Sequence, residues 1–186
     1  MYSTMVLNSL TVAGFLLLIL ADFLIARGKK AGPAQFFGYL AIGSALAFLV
    51  LAPLRTKDGI GWIPSVFLIL TSAASASLLL WSVFFEIPGA GKRRGLSPSE
   101  VYDKGTYSLC RHPGFWWFSF LALSLGLLKG IFAYSLTIFL MIVLDLLLIF
   151  IQDRYTFPKI FGGYGEYKKR VPFLFPRPRA RESRGE

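Results

Sequence analysis

The segment DKGTYSLCRHPGFWW (residues 103–117) marks the point where a polar loop enters an apolar helix. It contains the only histidine of the chain, His112, between Arg111 and Pro113. Charged and titratable groups beside hydrocarbon cost free energy and are default candidates for a functional site. The alternative is that Arg111 and His112 only mark the membrane–water interface. Both interpretations are open from these residues alone.

The composition around this segment is that of a membrane protein. The 186 residues are 55% hydrophobic and include 18 phenylalanines, which excludes an ordinary water-soluble domain. Four apolar stretches reach the ~20 residues that a bilayer crossing requires. A fifth would be only ~22 Å long, against a hydrocarbon core of ~30 Å. The sequence therefore predicts an all-α integral membrane protein with five transmembrane helices and a short C-terminal helical hairpin. The predicted spans are residues 5–26, 34–54, 60–85, 114–128 and 131–151. Pro113 stands where the first residue of the fourth helix is expected, and Lys129-Gly130 is predicted to turn the chain into the fifth.

The distribution of basic residues predicts the orientation of these spans. Arg27, Lys29 and Lys30 follow the first span and are expected in the cytosol, which places the amino terminus outside. With five crossings, all but three of the 20 Lys and Arg residues fall on the cytosolic side, and the carboxyl terminus is cytosolic. The exceptions are Arg55, Lys57 and Lys129.

The same pattern predicts one membrane-embedded domain over residues 1–176. The basic tail at residues 177–186 lacks the apolar residues needed to fold and is predicted to be disordered. The net charge of +10 suits membrane lipids with anionic headgroups, or a ligand bearing a phosphate or carboxylate. Nucleic acid is not an expected partner, because the basic residues flank spans and no nucleic-acid module is visible. One cysteine and one histidine do not supply a conventional soft-ligand metal site, so no metal is predicted.

Blocks after the fifth span extend the pattern of the opening segment. Gly105-Thr-Tyr107 and Arg111-His-Pro113 are followed by Gln152-Asp153, Phe161-Gly162, the pair Tyr164 and Tyr167, and Val171-Pro172. In order and spacing, residues 103–176 resemble the integral membrane methyltransferases of the isoprenylcysteine carboxyl methyltransferase and phospholipid methyltransferase group. The resemblance does not name the methyl acceptor.

The resemblance implies a cytosolic pocket for S-adenosylmethionine. His112 and the backbone around Pro113 would contact the cofactor, and Asp153 would accept hydrogen bonds from its ribose or amino group. The tyrosine pair would close the pocket. The full set implied to bind the cofactor is Tyr107, Arg111, His112, Pro113, Gln152, Asp153, Tyr164 and Tyr167.

Two positions depart from the family pattern, and two other functions therefore stay open. Gln152 stands where the family often has an acid, and Phe115 stands where it has a hydroxylated aromatic residue. One alternative is a nicotinamide-dependent reductase, since the NADPH-using sterol reductases look similar in this region but usually carry more spans. The other is a non-catalytic membrane scaffold with a degenerate site.

The acceptor determines which catalytic groups the reaction needs. A carboxylate or thiolate needs mainly positioning and exclusion of water, whereas an ammonium with a pKa of ~10 must first lose its proton. His112 is the one side chain with an ordinary pKa near neutrality, and Glu86 is the next candidate base. Glu86 is alternatively an interfacial acid paired with Lys or Arg. With Arg111, these two residues form the candidate catalytic set.

A lipid-like acceptor would enter from the bilayer, and three residues are candidates for its tunnel. Asp145 lies seven residues before Gln152 and so faces within ~20° of it on the same helix. It would line the tunnel or bond to Ser or Thr on a neighbouring helix. Trp116 and Trp117 would wall the tunnel or mark the interface.

Overall fold

The computed structural model describes residues 2–52, 61–86, 100–129 and 131–176. Regular structure in these ranges is helical, apart from one isolated bridge between Glu100 and Gly162. The α-helices are α1 (Tyr2–Ile25), α2 (Gly32–Leu51), α3 (Trp62–Leu80), α4 (Pro113–Lys129), α5 (Ile131–Ile151), α6 (Phe157–Ile160) and α7 (Tyr164–Arg170). The predicted turn at Gly130 and the predicted disordered tail lie outside the described residues.

Among the described residues, four helical stretches are long and apolar enough to cross a membrane: Ser3–Ile25, Gly32–Leu51, Trp62–Val83 and Phe132–Ile160. Their outer faces carry exposed apolar side chains, such as Trp62 at 77% and Phe132 at 92% exposure, which suits contact with lipid. The prediction of an all-helical chain with membrane-spanning helices is confirmed to this extent. Helix α4 has 17 residues and is about 26 Å long, so the fifth crossing stays a prediction.

Four helix pairs make the main contacts of the bundle. Helix α1 packs against α2 and α5, and α4 packs against α3 and α5. Gly14 and Gly38 lie where α1 and α2 touch, and a Cβ on either would press against the other helix. Such close approach is what small residues permit in membrane bundles. By contrast, α2 and α3 make at most a minor contact, which leaves a gap between them.

Lys129 joins the C-terminal ends of two helices. Its side chain is buried, and its Nζ donates to the carbonyl of Val50 at 2.9 Å and to the carbonyl of Ala52. Carbonyls in the last turn of a helix lack intrahelical partners, and a cation there also interacts favourably with the helix dipole. The ends of α2 and α4 are therefore held side by side.

The opposite end of the bundle carries the irregular structure. Helix α3 continues into a π-helical turn at Trp81–Glu86, and α5 continues into one at Gln152–Thr156. Such turns are rare and frequently occur at functional sites. Helix α4 begins at Pro113, as predicted, because proline suits the first helical position.

Residues 157–176, hereafter the tail, fold back beneath the start of α4. The backbone N–H of Arg111 donates to the carbonyl of Pro172 at 3.0 Å, and Nε1 of Trp116 donates to the carbonyl of Leu174 at 2.9 Å. These bonds bring α6 and α7 under the Arg-His-Pro step.

Candidate functional site

A cavity of about 450 Å³, hereafter the main cavity, runs from the tail into the helix bundle. Its polar end lies between the Arg-His-Pro step and α7, and its other end lies among apolar side chains of α1, α2 and α3. Of the predicted site residues, those lining it are Tyr107, Arg111, His112, Asp145, Gln152, Tyr164 and Tyr167. Those placed elsewhere in the described structure are Glu86, Pro113, Trp116, Trp117 and Asp153.

A short 3-10 turn at Gly105–Ser108 forms one wall of the polar end. Glu86 is buried beneath it and accepts hydrogen bonds from the backbone N–H of Thr106 at 2.7 Å and from its hydroxyl at 2.6 Å. Gly105 has φ +57°, and a Cβ there would overlap the Glu86 carboxylate. Within the described residues, Glu86 pairs with no Lys or Arg. It holds the turn in place, and its predicted role as a base stays untested.

This turn presents Tyr107 to the main cavity. The hydroxyl of Tyr107 donates to the carbonyl of Ser82 at 3.3 Å, and the hydroxyl of Tyr167 donates to the carbonyl of Tyr107 at 2.7 Å. Burial raises the pKa of both tyrosines above the ordinary value. Both side chains therefore stay neutral and tie the turn to α7.

Asp153 lies at the centre of a buried cluster with Arg111, Tyr164 and Lys168, hereafter the Asp153 cluster. The cluster joins the tail to the start of α4. Its Oδ1 lies 2.9 Å from Nε of Arg111 and accepts a hydrogen bond from the Tyr164 hydroxyl at 2.8 Å. Its Oδ2 lies 2.9 Å from Nζ of Lys168. These partners occupy the carboxylate, which is 2% exposed and does not line the main cavity. The geometry gives Asp153 a positioning role, and its predicted contact with a cofactor stays a prediction.

His112 lies between the Asp153 cluster and the main cavity. Its Nε2 is 3.7 Å from Oδ1 of Asp153, which is too long for a hydrogen bond, and it has no other partner in the described part of the chain. The ring stacks on Phe157 at 5.8 Å and meets the edge of Phe173 at 5.2 Å. Burial lowers the pKa of His112 despite the nearby carboxylate. The imidazole is therefore neutral at pH 7, and its Nε2 is a buried polar atom without a hydrogen-bond partner among the described residues.

Asp145 of α5 and Gln152, which directly follows α5, add two polar side chains to the wall of the main cavity. Gln152 lines it and also bonds to Asp22 of α1, whose side chain is buried. Asp145 lines the cavity two turns earlier on α5. Neither tryptophan of the predicted tunnel reaches it. Trp116 holds the tail, and Trp117 is half-buried, with its buried Nε1 unpartnered within the described structure.

Sequence reasoning missed several residues of the cavity wall. Tyr39 of α2 and Tyr102 line it, and so do Phe157 and Phe161 from the folded-back tail. The signal at Tyr39 was its hydroxyl within an apolar span, because such groups usually face the bundle interior. Nothing in the sequence distinguished Phe157 from the other phenylalanines.

Comparisons with known proteins leave the family open. A scan against family models, a search of curated proteins and a search of solved structures each give no significant match.

Proposed function

We propose that the protein transfers a methyl group from S-adenosylmethionine to a lipid-like acceptor. The main cavity is the observation that carries this proposal. It joins an aromatic, hydrogen-bonding chamber to an apolar passage within one space of about 450 Å³, which lies in the usual range for small-molecule sites. A reaction between a polar cofactor and a lipid needs both environments in contact.

The residues at the polar end fit this cofactor. S-adenosylmethionine, when bound, supplies an electrophilic methyl group on a sulfonium. The orphaned Nε2 of His112 offers a hydrogen bond to its polar groups, and the rings of Tyr107, Phe157 and Tyr164 offer faces that attract a cation. The side chain of Gln152 adds hydrogen bonds without charge. These groups would hold and orient the cofactor while the folded-back tail excludes water.

The gap between α2 and α3 supports acceptor entry from the bilayer. Gly43 of α2 and Leu80 of α3 each line the main cavity and are also exposed on the outer surface. In the proposed topology the chain crosses five times, with the amino terminus outside and the polar end of the cavity cytosolic. The hydrogen bonds of Lys129 support this arrangement, because they hold the C-terminal ends of α2 and α4 together, on what would be the same side of the membrane.

The position of Asp145 favours a phospholipid amine over a prenylcysteine carboxylate as the methyl acceptor. Asp145 is the one acid that a membrane helix contributes to the described cavity wall, and a carboxylate in an apolar passage attracts a cation and repels a carboxylate-bearing acceptor. A protonated amine must lose its proton before it attacks the methyl group, and the described cavity wall offers the imidazole of His112 and the carboxylates of Asp145 and Glu100 as proton acceptors. A phospholipid amine therefore fits better than a prenylcysteine carboxylate.

Filling the apolar passage tests the proposal. Outside its own helix backbone, no atom of the described residues lies within 4 Å of a Cβ built on Gly43, so Gly43→Phe would place a ring in the passage, whereas Gly43→Ala makes the matched small change. The assay is transfer of a labelled methyl group from S-adenosylmethionine to vesicles containing phosphatidylethanolamine or a farnesylated cysteine. We expect transfer by the wild type and by Gly43→Ala, and loss in Gly43→Phe with cofactor binding retained.

Three results would count against parts of this proposal. Transfer that is unaffected by Gly43→Phe would exclude the passage as the acceptor route. Transfer to farnesylcysteine but not to the amine would overturn the argument from Asp145. Binding of NADPH without binding of S-adenosylmethionine would instead favour the sterol-type reductase.

A further inference from the structure

A second, smaller hollow lies on the far side of the Asp153 cluster from the main cavity. This recess has a volume of about 260 Å³. It is lined by Arg111, Phe150, Asp153, Arg154, Lys168 and Phe173. Nothing in the proposed methyl-transfer reaction uses it.

The recess carries an excess of positive charge. Asp153 is its only acid among the described residues, and the bonds of Asp153 to Arg111 and Lys168 already occupy that carboxylate. Arg154 has no acidic partner in the described part of the chain. Its guanidinium instead lies over the ring of Phe150, 5.5 Å from the centroid. Three cations thus face one neutralised carboxylate, which is an arrangement that attracts an anion.

The position of the recess indicates where that anion comes from. Phe150 lies in the last turn of α5, is 49% exposed and belongs to the lipid-facing surface, and Arg154 follows it by about one helical turn. Phe173 from the folded-back tail forms the opposite apolar wall. A ligand here meets cations at one end and membrane-facing aromatic rings at the other.

We propose that the recess binds the phosphate headgroup of an anionic phospholipid from the surrounding bilayer. The guanidinium of Arg154 forms charge-assisted hydrogen bonds to the phosphate oxygens, and Lys168 adds a second cation. The acyl chains of the lipid extend from the recess along the ring of Phe150 into the bilayer. This assignment stands apart from the methyl-transfer proposal, because Phe150, Arg154 and Phe173 do not line the main cavity.

Native mass spectrometry of the detergent-purified protein tests the site with phosphatidylglycerol and phosphatidylcholine as probes. We expect phosphatidylglycerol to be retained in preference. Arg154→Gln should weaken that retention about tenfold, the equivalent of about 1.4 kcal/mol. The control is Arg170→Gln, which removes the same charge from an exposed position on α7, paired with Asp103 and outside the recess. It should leave retention unchanged.

The alternatives give different results. Equal losses in Arg154→Gln and Arg170→Gln would mean general attraction to a basic surface and would overturn the site. Equal retention of the two lipids would overturn it as well. Glycerol phosphate serves as a third probe. If it displaces phosphatidylglycerol at equal concentration, the recess binds soluble phosphate and the lipid assignment is wrong. Failure to displace supports the contribution of the acyl chains.

Discussion

Replacing Asp153 with asparagine should loosen the tail, because the Asp153 cluster joins the start of α4 to α7. The substitution removes the charge that neutralises Arg111, whose side chain is 9% exposed, and Lys168, whose side chain is 28% exposed. Removing one partner of a buried pair costs about 3–5 kcal/mol. Since Lys168 can turn toward water, we expect a loss at the lower end, about 3 kcal/mol. For a chain of this size that corresponds to a fall in Tm of about 6–12 °C.

Thermal unfolding in detergent measures this effect, with Glu166→Gln as the control. Glu166 pairs with Lys169 on the same helix, but both side chains are more than 70% exposed. Exposed pairs of this kind contribute little, so the control should shift Tm by less than about 2 °C. Limited trypsin digestion adds a local readout, because a loosened α7 should be cut faster at Lys168. Equal Tm shifts in the two variants, with unchanged cleavage at Lys168, would refute the role given to Asp153.

Three further changes probe other parts of the structure. Gly105→Ala should lower Tm by several degrees, because the new Cβ overlaps the Glu86 carboxylate and φ is positive there, whereas Gly165→Ala has free space and should have little effect. Lys129→Met should destabilise by about 2 kcal/mol, since it removes the buried donor from the carbonyls at the end of α2; an unchanged Tm would contradict the capping role. Burial lowers the pKa of His112 in the folded protein, so the unfolded chain binds the proton more readily. Wild-type stability should therefore fall as pH drops below the ordinary value of about 6.5, and His112→Phe should reduce that fall when Tm is followed from pH 8 to pH 5.

The helices were largely predictable because their determinants are local. Hydrophobic length alone predicts the bounds of α5 to the residue, and proline chemistry predicts the start of α4 at Pro113. The π-helical turns at Trp81–Glu86 and Gln152–Thr156 were not predictable, because each depends on how the end of a membrane helix packs against the polar layer.

Seven of the twelve predicted site residues line the main cavity, and the roles assigned to them stay predictions. The family resemblance implied that Asp153 contacts the cofactor, and Trp116 was a candidate for the tunnel wall or the interface, yet neither side chain lines the main cavity and both hold the tail. That difference depends on contacts with α7 and with Leu174, which are distant in sequence. The bond between Gln152 and Asp22 likewise joins opposite ends of the chain, so local patterns carry no signal for it.

Ligand binding tests the central claim most directly. Calorimetric titration of the purified protein in detergent would compare S-adenosylmethionine, S-adenosylhomocysteine and NADPH. His112→Ala is the test variant, and Trp117→Phe is the control, because Trp117 lies in α4, which directly follows His112, but does not line the main cavity. The account predicts that both adenosyl ligands bind to the wild type and to Trp117→Phe, and that binding is lost in His112→Ala. Binding of NADPH alone, or of none of the three to a folded protein, would contradict it.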